Sequence, residues 1–154
     1  MNRILLVLPL TLLAAVATAA KVPNLTGTWK ANIEKSTFPG DRPKSIVYKL
    51  KDAPEGFFMT EFQTDADGKE STVELRFDRG GKEAVNQIGD VESRTTLTDS
   101  EDALHEITVF NGPRGTFTRK STIRLSPDGK TLTMEGVFST PGGDTPVKIV
   151  LEKQ

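Results

Sequence analysis

Thr72-Val73-Glu74-Leu75-Arg76-Phe77, followed at once by Asp78-Arg79-Gly80-Gly81, sets the reading of the whole chain. Apolar and polar residues alternate with a period of two, then stop at residues suited to a tight turn. Side chains two apart share one face of a strand, so Val73, Leu75 and Phe77 face one way and Thr72, Glu74 and Arg76 the other. The same alternation separates Leu132, Met134, Gly136 and Phe138 from Thr131, Thr133 and Glu135. It also separates Ile46, Tyr48 and Leu50 from Ser45, Val47 and Lys49. Turn clusters recur roughly every ten residues, among them Asp52-Ala53-Pro54-Glu55-Gly56, Asp65-Ala66-Asp67-Gly68, Asn111-Gly112-Pro113 and Ser126-Pro127-Asp128-Gly129, a spacing that signals all-β structure. Together with the Pro39 to Pro43 connection they predict strands near 26–33, 44–51, 57–64, 70–77, 82–88, 91–98, 103–110, 115–125, 130–139 and 145–153. No stretch carries a helical period. One apolar face per strand implies one shared interior. An open sheet would leave two free edges, and curling it until its ends pair removes both. The expected fold is all-β, a single antiparallel up-and-down β-barrel of about ten strands, with a two-sheet sandwich as the alternative.

The chain has 154 residues, 27% charged and 36% hydrophobic, which suits one core. Its net charge of -1 gives no footprint for nucleic acid or anionic lipid. With no cysteine there is no disulfide and no thiolate site for a metal or a reaction. Arg3, the apolar run from Ile4 to Val16 and the small residues Ala17-Thr18-Ala19-Ala20 have the layout of a signal peptide, and the run is too short for a membrane span. The expected division is therefore a leader over 1–20 and a single domain over 21–154, periplasmic or extracellular, with no stable membrane insertion after cleavage. Asn24-Leu25-Thr26 matches a glycosylation sequon, relevant only in a eukaryotic secretory path.

Leu25-Thr26-Gly27-Thr28-Trp29-Lys30, with Gly27-x-Trp29 at its centre, resembles the first strand of the lipocalin and fatty-acid-binding-protein superfamily, the calycins. The ending Ile149-Val150-Leu151-Glu152-Lys153 is similar to the last strand of the intracellular fatty-acid-binding proteins. The continuation Asn32 to Gly40 resembles the opening of exported bacterial lipocalin-like proteins. The resemblance implies a barrel whose closed end is plugged by Trp29. Two departures matter. Ile149 and Leu151 stand where fatty-acid binders carry the Arg and Tyr that clamp a carboxylate. Between Phe38 and Pro43 there is room for a short connection and not for a helical lid.

No catalytic residue is assigned. His105 is the only histidine, too few for the imidazole sets of catalytic zinc, so no metal is expected. No nucleophile elbow accompanies the serines. Asp65-x-Asp67-Gly68 lacks the spacing of a calcium loop and reads as a turn. No helix N-terminus offers a phosphate site, and no cofactor is called for. Alternation puts Arg119 on the apolar face of its strand with Phe117, Ser121, Ile123 and Leu125. An inward guanidinium needs a carboxylate, water or an anionic ligand. The same reading puts His105 beside Ile107 and Val109 on an inward face, where His105 and Arg119 together would receive an acid headgroup. The alternatives are a rim position for Arg119 or a bulge that reverses it.

Two functions are compatible with this pattern. One is an exported, non-enzymatic, monomeric carrier holding a small hydrophobic, lipid-like molecule, acidic in the variant that uses Arg119, against Tyr48, Phe62, Phe77, His105, Phe117, Arg119, Met134 and Phe138. The other is an interaction module with a filled core that binds a protein or envelope component through its loops or outer-face aromatics. Whether the barrel is hollow separates them.

Overall fold

The computed structural model describes residues 24–154, so the expected leader over 1–20 lies outside the described residues. Ten strands follow one another: β1 (Gly27–Ala31), β2 (Ser45–Ala53), β3 (Gly56–Thr64), β4 (Glu70–Asp78), β5 (Glu83–Ile88), β6 (Val91–Asp99), β7 (Leu104–Gly112), β8 (Gly115–Leu125), β9 (Thr131–Thr140) and β10 (Gly143–Lys153). They form one antiparallel sheet in the order β4-β3-β2-β1-β10-β9-β8-β7-β6-β5. The first strand pairs with the last, Trp29 opposite Lys153 and Ala31 opposite Leu151. A single sheet curled on itself is a barrel and not a sandwich, and no helix lies among the described residues.

Closure is not complete, which corrects the expectation that curling removes both edges. No ladder joins β4 to β5. Gly80 and Gly81, at φ of 71° and 79°, turn the chain so that the Gly81 amide donates to the Leu97 carbonyl of β6 at 2.7 Å. Positive φ at two successive positions is strained for residues with a Cβ. The gap is spanned by one side chain. Asn86 accepts from the Arg76 amide at 2.7 Å and donates to the Arg76 carbonyl at 2.8 Å, taking the place of a neighbouring backbone. After β1 the chain runs on along β10, where Thr37 and Lys148 exchange two backbone hydrogen bonds of 2.7 and 3.0 Å.

The floor of the barrel is apolar and closed. Trp29 is fully buried, its indole Nε1 donates to the Leu25 carbonyl at 2.9 Å, and the Lys153 ammonium lies 5.3 Å from its ring. Leu25, Leu97 and Leu104 are buried, and Phe57 stacks on Phe77 with ring centroids 4.9 Å apart. Gly136 lets β8 and β9 approach closely, since a Cβ there would stand 2.0 Å from the Lys120 carbonyl oxygen.

Two of the sequence expectations about faces are overturned. On β7 the inward residues are Leu104, Glu106, Thr108 and Phe110, while His105 and Ile107 are exposed on the outer face. Leu104 settles the parity, because it belongs to the floor cluster, and period-two alternation then sends His105 outward. On β3, Phe57 is buried at the floor, so Phe58 and Phe62 lie outside. The Phe62 ring is 37% exposed and carries the Lys49 ammonium 5.0 Å from its centroid.

Candidate functional site

Above the floor, the inward positions of β2, β3, β7 and β8 are polar. The hairpin register sets which side chains meet. Counting out from the Ala53–Gly56 pair brings Glu61 opposite Tyr48. Counting out from the Gly112–Gly115 pair brings Thr108 opposite Arg119 and Glu106 opposite Ser121. Glu106 is 3% exposed and accepts three hydrogen bonds: Arg119 Nη2 donates to its Oε1 at 2.5 Å, Thr108 Oγ1 to Oε1 at 2.7 Å, and Ser121 Oγ to Oε2 at 2.6 Å. Thr95 Oγ1 lies 2.9 Å from Thr108 Oγ1. A hydroxyl has one proton, and Thr108 gives its proton to Glu106, so Thr95 is the donor of that bond. Arg119 is therefore inward and not reversed by a bulge, and the carboxylate it needs is supplied by the protein.

The two carboxylates of this belt are pushed in opposite directions. Burial pushes Glu106 up, but the Arg119 guanidinium and the hydrogen bonds from Arg119, Ser121 and Thr108 outweigh it and hold its carboxyl below the ordinary range. Burial also pushes Glu61 up, and here the more distant Arg119 cation and the Tyr48 hydroxyl only partly oppose it, so its carboxyl is held above the ordinary range. The Tyr48 phenol is raised by burial and by the nearby Glu61 charge, and is neutral. Arg119 keeps spare hydrogen-bonding capacity: its Nε is buried without a partner and its side chain is 28% exposed.

These groups open onto a cavity of about 190 Å³. Its walls are mostly apolar, including Leu50, Phe57, Met59, Leu75, Phe110, Ile123, Leu132 and Ile149, with Tyr48, Glu61, Glu106 and Arg119 as the polar members. Of the residues expected from sequence, Tyr48, Phe77, Arg119 and Met134 line this cavity. Phe117 and Phe138 form a ring cluster with the cavity residue Phe110, at centroid distances of 5.8 to 6.4 Å, where β7, β8 and β9 leave the end of the barrel opposite the floor. Phe62 and His105 are on the outside and touch no part of it. Across the outer face, His105 Nδ1 lies 3.3 Å from Thr122 Oγ1. Glu61 and Glu106 were not anticipated, although the turn registers alone place them. A larger hollow of about 540 Å³ lies among the turns outside the floor, lined by Asp52, Glu55, Arg79, Lys82 and Asp99. Its charged lining does not suit an apolar guest.

No protein-family model and no curated protein matches the chain. Solved structures do match. The zebrafish ileal bile acid-binding protein, complexed with cholic acid, aligns with a TM-score of 0.51 at 17% identity over 84% of this chain and 98% of that one. The fold is calycin-like. Secretory abundant heat soluble protein 4 of Ramazzottius varieornatus aligns with the same TM-score of 0.51 at 19% identity, over 84% of this chain and 94% of that one. At these identities the agreement concerns the calycin-like barrel and its strand order.

Proposed function

We propose that the protein is an exported, non-enzymatic binding protein that holds a small hydrophobic molecule inside its barrel. The observation that carries this reading is the cavity of about 190 Å³, apolar over most of its wall, with Tyr48, Glu61 and Arg119 converging on it. Its size bounds the guest. Pockets for drug-sized ligands run to about 300–1,000 Å³, whereas an apolar cavity of about 150 Å³ holds benzene. The cavity is partly open, so the portion of the guest that it encloses is about the size of a single ring or a short chain.

The belt does not support turnover. Glu106 accepts from three protein donors that hold its carboxyl below the ordinary range, so it is engaged in the belt's own pairing and is not poised as the acid or base of a carboxylate pair. Of the pair expected to receive an acid headgroup, His105 is outside and Arg119 is already ion-paired with Glu106, so the two do not act together. Export is supported by the leader-like sequence over 1–20.

Native mass spectrometry of the protein purified from the envelope fraction, with displacement of a fluorescent apolar probe, tests the reading. A bound small molecule and saturable displacement are expected. An empty protein that takes up no probe would leave the interaction module as the better account. Export is tested by the intact mass of the mature chain, which should correspond to loss of residues 1–20.

A further inference from the structure

The charged residues lining the cavity are Glu61, Glu106 and Arg119, two carboxylates and one guanidinium. Arg119 and Glu106 are joined by a 2.5 Å ion pair, with Thr108 and Ser121 completing the coordination of Glu106. That leaves Glu61. It makes no ion pair of its own among the described residues; its neighbours are the Tyr48 hydroxyl and the already neutralised Arg119. Buried charges are found paired, and a carboxylate without its own counterion inside an apolar chamber is an incomplete site.

We propose that the polar end of the guest is a protonated amine, seated on the Glu61 carboxylate beside Tyr48 with its apolar body against the cavity wall. The proposal rests on the reading that the barrel holds a small hydrophobic molecule. Once Glu61 is ionised, one positive charge makes the buried set neutral. An ammonium donates to Glu61, and the Tyr48 ring and hydroxyl oxygen both attract a cation. A carboxylate guest would add a third negative charge to a chamber holding a single guanidinium. A neutral alcohol would leave the surplus charge in place. The cavity volume adds a second restriction: the part of the molecule that lies inside is about as large as one ring with a short side chain.

The test is a matched set with one apolar body, 2-phenylethylamine, 2-phenylethanol and phenylacetate, each titrated at pH 8 against a fluorescent apolar probe bound to the full domain. The amine is expected to bind at least tenfold tighter than the alcohol, and the acid more weakly than either. Glu61→Gln should bring the amine to within threefold of the alcohol. An acid that binds as tightly as the amine, or an amine preference that survives Glu61→Gln, overturns the proposal. Probe or alcohol binding without any preference for the amine defeats the charge argument and leaves the carrier reading standing. No binding by the probe or by any of the three compounds defeats both. The wild-type ranking needs no variant, so it stands even if Glu61→Gln folds poorly.

Discussion

At the floor of the barrel, Trp29, Leu25, Leu97 and Leu104 fill the space with no charge among them. Above it, on β2, β3, β7 and β8, the interior holds Glu106, Arg119, Thr108, Ser121, Tyr48 and Glu61. The floor is stabilised by removing apolar surface from water, worth roughly 1.5–3 kcal/mol for each large side chain, and it works at any pH. The belt depends on every member keeping its partner, because a buried charge that loses its counterion is far more costly than the pair is beneficial. The comparison teaches where a guest belongs. A packed floor has no unmet demand, while the belt contains one carboxylate and part of one guanidinium that the protein itself leaves unsatisfied.

The largest effect is expected at the belt. Glu106→Ala strands the Arg119 cation and should lower unfolding free energy by about 3–5 kcal/mol, read from denaturant melts. The double variant Glu106→Leu with Arg119→Met should recover most of that loss; a double variant no better than the single one would show that pairing is not what holds the belt. Leu104→Ala should cost about 2–5 kcal/mol with no dependence on pH, and a pH-dependent loss there would erase the distinction between the two layers.

Titration sharpens the contrast further. The Glu106 carboxyl is lowered in the fold, so its contribution is present above the ordinary glutamate value and disappears as pH falls through the lowered one. Glu61 is raised, so it acts in the opposite sense: the fold is favoured at low pH and weakened as pH rises from the ordinary value through the raised one. Glu61→Gln is therefore expected to increase stability at pH 7 and to change nothing at pH 3, compared by chemical denaturation at both. A loss of stability at pH 7 would mean that Glu61 is already paired. The smallest effect is expected outside the barrel, where His105→Ala should stay within about 0.5 kcal/mol and leave guest affinity unchanged.

Most of the fold was legible in the sequence because turns and alternation speak for themselves in a meander of hairpins. All ten strands fall close to the positions read from punctuation, and Ile46, Tyr48, Leu50, Leu75, Arg119, Ser121 and Met134 face as alternation assigned them. The largest error came from reading the parity of a strand off its hydrophobic count. On β7 the parity with more apolar residues, His105, Ile107 and Val109, was taken as inward, yet Leu104 at the floor fixes the opposite parity and brings Glu106 inside. Hydrophobic counting fails wherever the interior is deliberately polar, because the buried residues there are chosen for one another and not for water avoidance. Phe62 failed for a related reason: Phe57 and Phe58 are adjacent, and hydropathy alone does not say which ring belongs to the core. The break between β4 and β5 left no signal, since an asparagine that substitutes for backbone looks like any polar residue of an exposed strand.

The seam between β1 and β10 also dictates an order of events. Asn32 and Glu152, which hydrogen-bond across that seam, are 120 positions apart, so the ring cannot shut until the final strand has left the ribosome. Until then Trp29 and Leu25 lack part of their cover. Contacts between remote segments form slowly, so the ring shuts late, and it is the last hairpin that seals the barrel.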